Sequence, residues 1–202
     1  MTAPITIDTP LRYAGPPPKA CDVVVLGGGV IGVMTAWFLA ERGFSVTLCE
    51  KGRIAGEQSS RNWGWIRQQG RDLAELPIMM ESMRIWADMS ASLGPALGFR
   101  QEGVMYLARS QKEMAGFETW MLQAQAMGLD VQLQSTAQVY DHIKGAAVEW
   151  LGGLFTASDA RAEPWTAVPL MAEGAVARGA VLVENCAVRR LDLQGGRVAG
   201  VY

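Results

Sequence analysis

One histidine, His142, and three cysteines, Cys21, Cys49 and Cys186, are all that 202 residues offer of those two types. A single imidazole excludes metal centres built from several histidines. The cysteines are odd in number, far apart and form no C-x-x-C pair. They read as small buried apolar residues in a reducing compartment, not as a disulfide framework. No excess of charge of either sign is present: Lys and Arg number 18, Asp and Glu 20, for a net charge of −2. That balance excludes a nucleic-acid binder relying on a basic surface, and equally an acidic disordered tail. The first twenty residues have no apolar h-region and do not read as a secretory signal. The longest uncharged run, residues 23–40, only reaches the lower limit for a membrane span. It opens with three valines followed by three glycines, so a buried strand, a tight turn and a buried helix explain it better. No transmembrane segment is expected. There is no Ser-His-Asp arrangement, internal repeat or low-complexity tract.

What is present is a globular composition, 50% hydrophobic and 19% charged, enough for one large domain or two small ones. Pro16, Pro17 and Pro18 form an extended lead-in. Residues 22–26 read as a strand buried on both faces, 30–42 as a helix closed by Gly43, and 45–50 as a second strand. Together they make a βαβ unit of about thirty residues. Residues 51–72 are polar and glycine-rich. Beyond them, 73–93 reads as one or two helices, 104–108 as a strand, and 110–127 and 135–142 as helices. Residues 149–156 are strand-like. A helix is expected over 163–178, with Pro164 at its first position, then a strand over 180–184. Segments 187–193 and 197–202 read as a hairpin turning at Gly195-Gly196.

The chemistry-bearing pattern is Gly27-x-Gly29-x-x-Gly32, set between the first strand and the first helix. Gly27 suits the tight turn, Gly29 close approach of a pyrophosphate, and Gly32 close packing of helix on strand. The helix N-terminus, at Val30 and Ile31, offers N–H groups and a positive dipole end to phosphates. Glu50, followed by Lys51, lies 18 residues after Gly32 at the end of the second strand. A carboxylate there can accept from ribose hydroxyls. The pattern points to a dinucleotide-binding Rossmann-type domain. After Glu50 the next candidate parallel strand begins roughly 130 residues later. So large an insertion suits a flavoprotein better than a nicotinamide-binding domain.

The run Val24-Val25-Leu26-Gly27-Gly28-Gly29-Val30-Ile31-Gly32, the acid Glu50 and the stretch Ser59-Ser60-Arg61-Asn62-x-Gly64 resemble the FAD-dependent D-amino-acid oxidase family. That family includes glycine oxidase, sarcosine oxidase, D-amino-acid dehydrogenases and opine-oxidising enzymes. Gly152-Gly153-Leu154, Asp159, Glu163-Pro164, Gly179-Ala180 and Val188 resemble its connector into the third strand. The resemblance implies FAD as cofactor, with Ser59, Ser60, Arg61, Asn62 and Gly64 against the ribityl-pyrophosphate and flavin, and Val188 beside the adenine. It implies an oxidoreductase acting on the C–N bond of an amino acid or related amine. Trp65 and Arg67 are candidate substrate contacts, Arg67 for a carboxylate; no catalytic residue and no metal ligand is assigned. Open alternatives are a flavin enzyme acting on a hydroxy acid or glycerol phosphate, and a non-catalytic FAD-binding module needing a partner chain.

Family members are nearly twice this long, and the later glycine-containing FAD segment and C-terminal portion have no match here. The chain therefore reads as an N-terminal part, inactive alone, with Met79, Met80, Ile85 and Trp86 expected to be left uncovered. The expected fold class is α/β: a Rossmann-type FAD-binding domain with an inserted α+β substrate-domain segment, truncated. The expected boundaries are an N-terminal extension over 1–20, the FAD-binding domain over 21–72 and 150–202, and the insertion over 73–149. Expected partners are a small-molecule amine or amino-acid substrate and a partner subunit, with no nucleic acid. The expected location is the cytoplasm, with peripheral association at the inner membrane as a variant.

Overall fold

The computed structural model describes residues 4–202; the first three residues of the expected 1–20 extension lie outside the described residues. In chain order the elements begin with β1 (Val23–Leu26), α1 (Val30–Glu41), β2 (Val46–Cys49) and β3 (Trp65–Ile66). They continue with α2 (Leu76–Leu93), β4 (Arg100–Gln101), β5 (Val104–Ala108), α3 (Gln111–Ala126), β6 (Val131–Ser135) and α4 (Thr136–His142). The last are β7 (Gly152–Thr156), β8 (Ala160–Arg161), α5 (Pro164–Ala177), β9 (Val181–Val183), β10 (Leu191–Gln194) and β11 (Arg197–Val201). The chain divides into two compact units, residues 1–63 with 163–202, and residues 64–162.

In the first unit β1, β2 and β9 form a parallel sheet with β2 in the middle. Val23 pairs with Val46, and Thr47 with Val181. All four residues of β2 are buried, as the apolar run of a strand flanked on both edges requires. Helix α1 turns Val33, Ala36, Trp37 and Ala40 inward. Arg178, at the end of α5, lies 3.6 Å over the Trp37 ring, a cation–π contact joining the two helices. Pro164 opens α5, where its missing N–H has no helical acceptor to lose. Strands β10 and β11 pair antiparallel around Gly195-Gly196.

The second unit is built on β5, β7 and β6, antiparallel with β7 central. Its core joins Leu76 of α2, Ala124 of α3, Leu129, Val131 of β6 and Leu154 of β7. Trp120 packs on that cluster and donates its indole N–H to the Arg71 carbonyl at 3.0 Å. A smaller sheet of β3, β8 and β4 pairs Arg161 with both Trp65 and Arg100.

Several features differ from expectation. The units meet at residues 63/64 and 162/163, not at 72/73 and 149/150. The reason is pairing: β7, taken from sequence as part of the cofactor domain, is the middle strand between β5 and β6. Met79, Met80, Ile85 and Trp86 are half-buried and not uncovered; Met80 packs on the second core, and Trp86 stacks on Phe99 with ring centroids 6.2 Å apart. Only Cys49 is fully buried among the three free cysteines; Cys21 and Cys186 are half-buried. No helix among the described residues is long and apolar enough to cross a membrane.

Candidate cofactor-binding site

The turn after β1 is made by Gly27 at φ +103°, a conformation that a side chain makes costly. Its N–H donates to the Cys49 carbonyl at 2.9 Å, which holds the turn against the end of β2. A Cβ on Gly32 would lie 1.9 Å from the Gly27 carbonyl oxygen. Only glycine lets α1 start this close to β1. The first helical bond runs from Val33 N–H to the Gly29 carbonyl at 2.9 Å. The N–H groups of Val30, Ile31 and Gly32 therefore have no acceptor within the helix. Val30 N–H is met by Ser59 Oγ at 2.9 Å. The same hydroxyl is 3.1 Å from where a Gly29 Cβ would sit. Gly29 is thus small for two reasons: the open helix end on one side and Ser59 on the other.

Glu50 is buried at the exit of β2. Its Oε2 accepts from Gly28 N–H and its Oε1 from Gly52 N–H, both at 2.6 Å. Each oxygen has one further lone pair for a hydroxyl donor. The carboxylate therefore fixes the glycine turn and can still accept from a ligand.

These elements enclose an open cavity of about 430 Å³. It brings together Gly27, Gly29, Glu50, Lys51, Ser59 and Val188 from the expected site. Gly28, Gly56 and Gln58 also line it, the first from the glycine triplet and the others from the segment that leads into Ser59. Sequence reasoning missed Arg53, Ala55, Cys186 and Arg189 of the lining, which come from segments without a pattern. Lys51 pairs with Glu57 at 2.8 Å on the exposed rim. Burial, and then the neighbouring Cys186 thiol, push the Cys49 thiol up to about 12, so it is an inert wall residue.

Several expected residues are not part of the cavity lining. Val30, Ile31 and Gly32 form the first turn of α1. Ser60 is buried and donates to the Glu57 carbonyl at 3.4 Å. Arg61 donates to the Gly56 carbonyl at 3.0 Å, and Asn62 Nδ2 to the Ser59 carbonyl at 3.0 Å. Gly64, Trp65 and Arg67 belong to the second unit. Trp65 is exposed. Arg67 Nη1 donates to Tyr106 Oη at 2.6 Å and to the Gln69 carbonyl at 2.5 Å. Beside it Asp159 is fully buried and accepts from the N–H groups of Gln68 at 2.6 Å and Gln69 at 3.1 Å. Burial holds its carboxyl above the usual range, although the Gln68 and Gln69 amides oppose the shift.

A nucleotide-binding turn on a parallel sheet, with an acid closing the second strand, defines the class. Residues 22–202 match the family of FAD dependent oxidoreductases, DAO, and the chain belongs to it. Over 194 residues it is 28% identical to mitochondrial sarcosine dehydrogenase of Mus musculus, covering 92% of this chain and 21% of that protein. Over 197 residues it is 26% identical to sarcosine oxidase subunit beta of Rhodobacter capsulatus, covering 94% of this chain and 48% of that one. The structure of L-amino acid deaminase from Proteus myxofaciens in complex with anthranilate superposes with a TM-score of 0.90 at 28% identity. That match covers 95% of this chain and 44% of that one. The family's cofactor is FAD. The chain spans half or less of the length of these relatives.

Proposed function

We propose that this chain forms the FAD-binding part of an enzyme that oxidises the C–N bond of an amino acid or related amine. The observation that carries the proposal is the cavity beside the start of α1, where the glycine turn, Ser59 and Glu50 meet. The residues present fit FAD: Gly27, Gly28 and Gly29 line the cavity, so its wall beside the start of α1 is backbone where a phosphate must approach. In this reading Gly27, Gly29 and Gly32, with Val30 and Ile31 of the first turn of α1, take the pyrophosphate. Glu50 and Lys51 take the ribose, and Val188 flanks the adenine. Ser59, Ser60, Arg61, Asn62 and Gly64 serve the flavin side. FAD supplies the acceptor for a hydride, chemistry that the protein's own side chains lack.

The substrate class rests on the relatives, which are named for sarcosine and for L-amino acids. Trp65 and Arg67 are the proposed substrate contacts. Arg67 Nη1 is pinned by Tyr106 and Gln69, which leaves the rest of a planar guanidinium to grip a carboxylate. A relative that is a beta subunit supports a partner chain here. The free cysteines support a reducing compartment and with it a cytoplasmic location, peripheral to the inner membrane or not.

The test is anaerobic mixing of the FAD-loaded protein, joined to whatever chain completes it, with sarcosine, glycine, D- and L-amino acids and glycerol phosphate. Bleaching of the flavin band by an amine supports the proposal. Bleaching by glycerol phosphate alone, with every amine silent, contradicts it.

A further inference from the structure

Glu184 follows β9 directly and is buried, yet it is not among the cavity's lining residues. Its partners are backbone amides from two distant segments. Oε2 accepts from Arg12 N–H at 2.7 Å and Tyr13 N–H at 3.2 Å. Oε1 accepts from Ile54 N–H at 2.8 Å. Its own N–H donates to the Tyr13 carbonyl at 2.9 Å. One side chain thus ties the N-terminal strap to the loop after β2.

That loop is part of the cavity. Ile54 and Ala55 are buried, and Ala55 N–H donates to the Gly28 carbonyl at 2.8 Å. Ala55 sits at φ +61°, a left-handed conformation that a residue with a Cβ keeps only when its surroundings hold it there. A second tie runs in parallel: Arg53, which lines the cavity, donates from Nε to the Thr9 carbonyl and from Nη1 to Asn185 Oδ1 at 3.3 Å. The path from strap to glycine turn is therefore continuous: Arg12 and Tyr13, Glu184, Ile54, Ala55, Gly28. No strap residue lines the cavity.

We propose that Glu184 is a positioning residue that couples docking of the strap, residues 9–13, to the shape and affinity of the FAD cavity. The inference rests on the cofactor reading above. A carboxylate suits the role because both of its oxygens face N–H donors. An amide at this position would set its NH2 against one of them, and so release either the strap or the loop. By linkage the coupling works in both directions: FAD must tighten the strap as much as the strap tightens FAD.

The experiment is hydrogen exchange and FAD titration on the full chain, for the native protein, Glu184→Gln and Glu81→Ala. Glu81 pairs with Arg84 at 2.6 Å on the exposed face of α2 and touches no residue of the proposed path. In the native protein FAD slows exchange at the Arg12 and Tyr13 amides, which are not part of the cavity lining. In Glu184→Gln, FAD binds about tenfold more weakly and no longer slows those amides. Glu81→Ala behaves as the native protein. A native protein that binds FAD without change at Arg12 and Tyr13 overturns the coupling and leaves the cofactor reading standing. So does native affinity in Glu184→Gln. If Glu184→Gln does not fold, the native exchange data decide alone. A native protein that binds no FAD overturns the cofactor reading and the coupling together.

Discussion

At the scale of single residues, Gly32 carries the tightest steric demand in the cofactor turn. A methyl group there would overlap the Gly27 carbonyl, which is backbone and cannot swing aside. Gly32→Ala should therefore cost about 3 kcal/mol or more, the upper range for overpacking, read as a lowered urea midpoint. Asp159 gives a pH signature. Its folded-state carboxyl is held above the usual range, chiefly by burial. A raised folded pKa favours folding where the group is protonated and loses that contribution as pH rises through the folded value. The native protein should lose stability over that rise, from the ordinary carboxyl range upward. Asp159→Asn should lack that slope. A urea midpoint measured across mildly acid pH distinguishes the two, and parallel curves would count against the assignment.

At the scale of elements, α3 shows what a cap contributes. Ser110 Oγ accepts from Glu113 N–H at 3.2 Å, and the Glu113 carboxylate accepts in return from Ser110 N–H at 3.0 Å. The Arg109 and Ser110 donors hold the Glu113 carboxyl below its usual range. Ser110→Ala should cost about 1 kcal/mol, measured as a fall in Tm. The βαβ unit was legible because three signals sit side by side: β-branched residues, then glycines, then a mostly apolar run closed by Gly43. The hairpin at Gly195-Gly196 was legible for the same kind of reason. Strand β6 was missed although Val131 and Leu133 alternate with Gln132 and Gln134. Its last residue, Ser135, is also the N-cap of α4, and the cap signal hid the strand. The two-residue strands β3, β4 and β8 are too short to have a period.

At the scale of the whole chain, the place of β7 was not readable. Gly152-Gly153-Leu154 says strand, but whether it joins the cofactor sheet or β5 and β6 depends on partners remote in sequence. Within the site, the glycines and Glu50 were legible because phosphate and ribose demand those residue types at that spacing. Glu184 was not, since a buried carboxylate satisfied by backbone amides has no motif. We propose that residues 1–202 alone hold FAD but do not turn over an amine, because fixing the amine and excluding water are properties of a closed cavity. Anaerobic bleaching at an enzymatic rate by residues 1–202 alone would contradict this.

The central claim is that FAD seats its pyrophosphate on the turn between β1 and α1. The direct measurement is FAD content and titration of Gly29→Val beside the native protein, with circular dichroism melts to show that both are folded. A valine there would crowd Ser59, 3.1 Å from its Cβ, and close the approach to the start of α1. The account predicts a folded variant that has lost flavin binding, while the native chain binds FAD with one equivalent saturating the site. A folded Gly29→Val that retains the native flavin content and affinity would show that the cofactor sits elsewhere.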